Sequence, residues 1–132
     1  MTRKKEVQIP DDLLYTKTHE WIKLNNGNVK VGITDHAQRE LTDIVYVELP
    51  KLERSVKIGE KICSVESIKT AADIYAPCSG IVIEVNKQLE TAPELVNKEP
   101  YGNGWLFVLK ISNEKELETL LHPDEYKKLI NG

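Results

Sequence analysis

Ile62-Cys63-Ser64-Val65-Glu66-Ser67-Ile68-Lys69-Thr70-Ala71-Ala72-Asp73-Ile74-Tyr75-Ala76-Pro77 holds two short strand-like runs that meet at a lysine. No Gly, Pro or Asn stands between them, so Lys69 occupies the place where a hairpin has its tip. Pro77-Cys78-Ser79-Gly80 then leads into a further strand, Ile81 to Val85. A lone exposed amine is charged and strongly hydrated. It is therefore a poor resting nucleophile and a poor binding site. It is well placed to be acylated by another enzyme, which would turn it into a neutral, flexible tether.

The rest of the chain surrounds that hairpin with more β structure. From His19 to Ile33 the spacing is two, and Asn25-Asn26-Gly27-Asn28 breaks the run with the Asn-Gly turn that favours a hairpin. Thr34 or Asp35 caps a short helix through Leu41. Ile44 to Leu49 reads as a strand with Val45, Val47 and Leu49 on one face, and Pro50 ends it. Gly59-Glu60 forms the turn that opens the lysine hairpin. Residues 91–104 read as a polar loop, and Trp105 to Ile111 as the last strand. Beyond it Asn113 and Glu116 have capping-box spacing, with Leu117, Leu120 and Leu121 as an apolar stripe. Pro123 suits the first position of a final helix whose Tyr126, Leu129 and Ile130 face the core. Many short strands with terminal helices indicate a compact β sandwich or barrel.

Composition narrows the function classes. With 132 residues, 40% hydrophobic and 30% charged, the chain reads as one globular domain, residues 1–132, with a loose tail over 1–12 and a helical segment over 113–131. A net charge of −3 and a pI near 5.7 give no footprint for nucleic acid or an anionic membrane. Arg3-Lys4-Lys5 reads as a solvated terminus. No apolar run reaches bilayer length, and no signal-peptide core or transit leader is evident, so a cytoplasmic protein is expected. Cys63 and Cys78 sit in apolar runs without metal-ligand spacing and read as buried reduced thiols, with a disulfide between them as the alternative. His19, His36 and His122 lack metal spacing. Ser67 and Ser79 lack a nucleophile-elbow context. Gly102-Asn103-Gly104 precedes a strand rather than a helix, so it is no phosphate cradle. Nothing in the sequence assembles a self-sufficient active site.

Glu66-Ser67-Ile68-Lys69, followed by Ala72 to Pro77 and Ser79-Gly80, resembles the lipoate-attachment segment of glycine cleavage system H proteins. Further blocks resemble that family in the same order: Thr18-His19-Glu20-Trp21, Val31 to Gln38, Asp43 to Pro50, Pro93 to Asn97 and Pro100 to Leu106. The likeness extends over nearly everything from Tyr15 onward. It implies a mainly β fold, a flattened barrel-sandwich hybrid of two antiparallel sheets with a short helix in the N-terminal half and helices at the C-terminus.

The resemblance also implies a role. Lys69 would carry lipoate in amide linkage, attached by a lipoate ligase or an octanoyl/lipoyl transferase. The arm would take an aminomethyl group from a pyridoxal-phosphate-dependent glycine decarboxylase. It would pass that group to a tetrahydrofolate-dependent aminomethyltransferase and be reoxidised by dihydrolipoyl dehydrogenase. The chain itself would be a monomeric, non-catalytic carrier. Glu66 and Gly80 match positions tied to recognition by the attaching enzyme. Thr18, Glu20 and Asp73 match positions tied to docking of the loaded arm. Gly80 also reads as a turn residue needing positive φ, and Glu20 as a surface acid beside Trp21. Ile68, Thr70 and Glu40 depart from the commoner residues of the family. The alternatives are an H-like protein relaying lipoyl groups to other enzymes, and a biotinyl carrier. The latter would flank its lysine with methionines, where this chain has Ile68 and Thr70.

Overall fold

The computed structural model describes residues 6–131. The chain runs β1 (Leu14–Tyr15), β2 (Glu20–Asn25), β3 (Asn28–Ile33), α1 (Asp35–Leu41), β4 (Ile44–Glu48), β5 (Ser55–Val56), β6 (Lys61–Ser67), β7 (Ala71–Tyr75), β8 (Gly80–Val85), α2 (Leu95–Lys98), β9 (Phe107–Ile111) and α3 (Pro123–Asn131). Short 3₁₀ segments cover Lys87–Glu90 and Glu114–Thr119. Two antiparallel sheets result, one of six strands in the order β1-β2-β3-β9-β8-β5 and one of three in the order β4-β6-β7. The architecture is mainly β and is not a closed barrel.

Local chemistry explains most elements. The β2–β3 turn has Asn26 at φ 48° and Gly27 at φ 83°, the left-handed pair that matches the twist of a two-residue hairpin. Thr34 caps α1 by accepting the Ala37 N–H at 3.1 Å. Alternation along the strands turns Ile22, Val29, Val31, Val65, Ile74, Val82 and Leu109 into the main core. A second cluster packs Leu13, Tyr15, Trp21 and Tyr126, with Tyr15 and Tyr126 stacked at 4.7 Å. Trp21 lies against Gly32, where a Cβ would come within 2.6 Å of the indole, and its Nε1 donates to the Pro100 carbonyl at 2.8 Å.

Five expectations need correction. Val45 is half exposed rather than in phase with Val47, because a bulge between Ile44 and Tyr46 reverses its side. Residues 91–104 are not all loop; α2 lies there, burying Val96. Asn113 caps the Lys115 N–H, but Glu116 does not complete the box, since its carboxylate binds Ser79. Leu129 is exposed on α3, leaving Tyr126 and Ile130 to pack. The segment 6–12 is tied down: the Gln8 N–H donates to Asp35, Tyr101 donates to the Gln8 carbonyl and Tyr15 to that of Pro10. The basic run Arg3-Lys4-Lys5 lies outside the described residues. Cys63 and Cys78 are both free and buried.

Candidate functional site: a lysine hairpin and an acid-floored cleft

The β6–β7 ladder closes with Glu66 opposite Ala71, which leaves Ser67-Ile68-Lys69-Thr70 to make the bend. None of these four has positive φ. Ser67 does the work that Gly or Asn does elsewhere. Its Oγ accepts the N–H groups of Lys69 (3.2 Å) and Thr70 (3.0 Å), and its own N–H donates to the Thr70 carbonyl at 2.7 Å. The Ile68 N–H donates to the Asp43 carbonyl at 3.0 Å, fixing the bend to the α1–β4 connection. The backbone is thus held while the Lys69 side chain projects into solvent. Its Nζ donates to the Glu40 carbonyl at 2.9 Å. That acceptor belongs to the last turn of α1, where carbonyls lack helical partners. One exposed neutral acceptor competes poorly with water, so the amine is neither buried nor locked in an ion pair. Glu40 itself is exposed and lies 3.7 Å from His36.

Thr18 and Glu20 come together on a cleft of about 530 Å³. Glu20 shares a face of β2 with Ile22, which directs it between the sheets, and it is fully buried. Its carboxylate accepts the hydroxyls of Thr16 and Thr18 and the Tyr75 N–H at 3.3 Å. No basic group is among these partners. Burial, the largest influence, raises the Glu20 pKa above the ordinary carboxylate range, and the hydroxyl and amide donors partly offset it. The surface-acid reading of Glu20 is therefore wrong. Around it the cleft has apolar walls from Ile58, Ala76, Pro77 and Leu120.

Glu20 makes stability depend on pH. The native chain keeps its proton to a higher pH than the unfolded chain does. From the unfolded carboxylate value near ~4.3 upward to the raised native value, the folded state binds more protons, so stability falls as pH rises through that window. Glu20→Gln is expected to flatten this dependence and raise the melting temperature at pH 7. Urea denaturation of both proteins between pH 4 and 8 checks it; parallel pH curves would contradict it.

The remaining candidates divide. Asp73 is half exposed, pairs with Lys61 Nζ at 3.2 Å, and is not among the residues lining the cleft. Glu66 is exposed beside the bend. Gly80 is buried and does not have positive φ, so the turn reading fails. A Cβ there would lie 2.3 Å from the Lys110 carbonyl oxygen across the β8–β9 pair, so crowding explains the glycine. His19 and His36, distant in sequence, meet with rings 4.8 Å apart, and His19 Nδ1 lies 2.8 Å from the Tyr126 hydroxyl. Burial, first, lowers the His19 pKa, and the neighbouring His36 adds to the shift. Among the described residues no three His, Cys, Asp or Glu side chains are placed to hold a metal. Burial pushes both thiols up, Cys78 to about 11. The sequence reading missed Thr16, Tyr75 and Ser67. Thr16 alone left a signal, the alternation Thr16-x-Thr18-x-Glu20.

Comparison with known proteins bears on this geometry. The family model described as glycine cleavage H-protein matches residues 13–132. A glycine cleavage system H protein of Thermotoga maritima is 56% identical over 113 residues, 86% of this chain and 91% of its own. One of Endomicrobium trichonymphae is 51% identical over 124 residues, 94% of this chain and 100% of its own. The crystal structure of a glycine cleavage system H protein from Mycobacterium marinum superposes with a TM-score of 0.84 at 38% identity, over 94% of this chain and 100% of that one. The matched span holds the hairpin, the cleft and both sheets together. With this agreement of sequence and fold, the chain belongs to the glycine cleavage H-protein family.

Proposed function

We propose that Lys69 is the attachment point of a lipoyl group and that this chain serves the glycine cleavage system as its mobile-arm carrier. The observation that carries the reading is the solvent-facing Lys69 amine on a rigid bend, in a chain of this family. The residues present fit such a group. A single accessible amine can form the amide, and the cleft offers an apolar wall for an alkyl arm with a carboxylate at its floor. When bound, the lipoyl group would supply a dithiolane that takes up an aminomethyl group and later gives it away.

The protein's own part is positioning. Ser67 and Asp43 hold the bend so that Lys69 is presented to an attaching enzyme, and exposed Glu66 supplies a charged contact beside it. Thr18 and Glu20 form a site for a cationic head, because a buried carboxylate held only by hydroxyl and amide donors gains from an ammonium partner. Asp73, paired with Lys61 outside the cleft lining, has at most an outer role there. The thiols do not serve as nucleophiles, since both are buried and held protonated. The chain thus works as a non-catalytic carrier, acting as one unit, with glycine decarboxylase, aminomethyltransferase and dihydrolipoyl dehydrogenase as partners. A tether visiting these partners replaces free diffusion with a high local concentration. Glycine–bicarbonate exchange by the decarboxylase, with and without the lipoylated chain, tests the role; no stimulation by that chain would contradict it.

A further inference from the structure

The 3₁₀ segment Glu114–Thr119 and the following Leu120 form one side of the cleft through Thr119 and Leu120. This stretch is pinned at both ends. At its far end Leu121 bridges Tyr15 with a pair of backbone hydrogen bonds, 2.7 and 2.9 Å, next to Thr16. At its near end the Glu116 carboxylate grips Ser79 twice: the Ser79 N–H donates at 2.7 Å and the Ser79 hydroxyl at 3.0 Å. The same hydroxyl accepts the Ile58 N–H at 3.0 Å, and Ile58 and Gly59 also line the cleft. The Glu116 carbonyl accepts the Thr119 hydroxyl at 2.7 Å. One side chain therefore links the segment bearing Thr119 and Leu120, the Pro77–Ser79 connection and the Lys57–Glu60 turn. All three contribute to the cleft. Capping-box spacing would send Glu116 back to Asn113, yet it reaches across the molecule instead.

We infer that Glu116 is a positioning residue for the cleft, a latch that holds Thr119 and Leu120 over it through Ser79 and so sets its affinity for an alkyl chain ending in an ammonium. Glu116 does not line the cleft and acts through the residues it holds. This inference rests on the reading of the cleft as the docking site for such an arm. A carboxylate making two charge-assisted hydrogen bonds is a strong link, and Gln preserves its shape and one acceptor oxygen for the Ser79 N–H.

The test uses the unmodified chain and octylammonium chloride as the probe, followed by amide chemical shifts of Thr18, Tyr75 and Leu120. The wild-type protein is expected to bind the probe at those residues. Glu116→Ala should weaken binding roughly fivefold or more, a loss of about 1 kcal/mol of affinity. Glu116→Gln should bring it back to near the wild-type value, and octanol, which lacks the charge, should bind more weakly. Glu20→Gln should abolish the preference for ammonium over octanol. A purely structural Glu116 would lower the melting temperature of Glu116→Ala and leave probe affinity unchanged; that result overturns the latch. If Glu20→Gln also leaves the ammonium preference intact, or the wild type does not bind, the docking reading itself falls. Should Glu116→Ala not fold, Ser79→Ala decides in its place, with weaker binding supporting the latch and unchanged binding overturning it.

Discussion

Lys69→Arg is expected to yield a folded protein that never gains a lipoyl group and leaves glycine–bicarbonate exchange at the background measured without the chain. The substitution is narrow. Arginine keeps the positive charge and can still donate to the Glu40 carbonyl, where the Lys69 ammonium donates at 2.9 Å. The bend is held by the Ser67 hydroxyl and by the Ile68 N–H to Asp43, neither of which involves the residue 69 side chain. Stability should therefore change by less than ~0.5 kcal/mol, as for surface positions generally. What arginine cannot do is become acylated under these conditions, because its guanidinium stays protonated. A melting curve beside the exchange assay separates the two effects. Residual stimulation of exchange by the variant would show that the essential attachment lies elsewhere.

The second large effect is expected at Gly80, and it is an effect on stability. In Gly80→Ala the new Cβ would meet the Lys110 carbonyl oxygen at 2.3 Å and its carbon at 3.1 Å. Both are backbone atoms of β9, so relief requires the β8–β9 pair to move. That pair also carries Val82 opposite Leu109 in the core. A loss of about 3 kcal/mol is expected, at the upper end for overpacked sites, visible as a lower urea midpoint. Attachment per folded molecule should be preserved, because Gly80 is buried and its crowding is against the β9 backbone. Glu66→Ala should behave in the opposite way, with slower attachment and an unchanged midpoint. Normal stability in Gly80→Ala, combined with failed attachment, would restore a direct recognition role to this residue.

Legibility in the sequence follows the range of the forces involved. The Asn26-Gly27 hairpin, the Thr34 cap and the Lys69 bend were readable because each is decided by residues a few positions apart. Val45 was misplaced because its bulge is set by pairing with β6, well away in sequence. Glu116 had the spacing of a local cap, and a distant partner, Ser79, outcompeted it. Gly80 looked like a turn residue beside Pro77, whereas its constraint comes from Lys110 on a neighbouring strand. The site divides along the same line. Lys69 is a local feature and stood out. The cleft is made by residues brought together from β2, β7 and the segment before α3, so its acid floor is a property of the folded chain alone.

The central claim is that the Lys69 amine is a place for covalent loading. Intact-mass measurement of the protein from its native host, with peptide mapping across residues 62–77, tests it most directly. One lipoyl amide on Lys69 is the result expected. A biotinyl increment at that residue, or a consistently unmodified Lys69 in cells carrying out glycine cleavage, would contradict it.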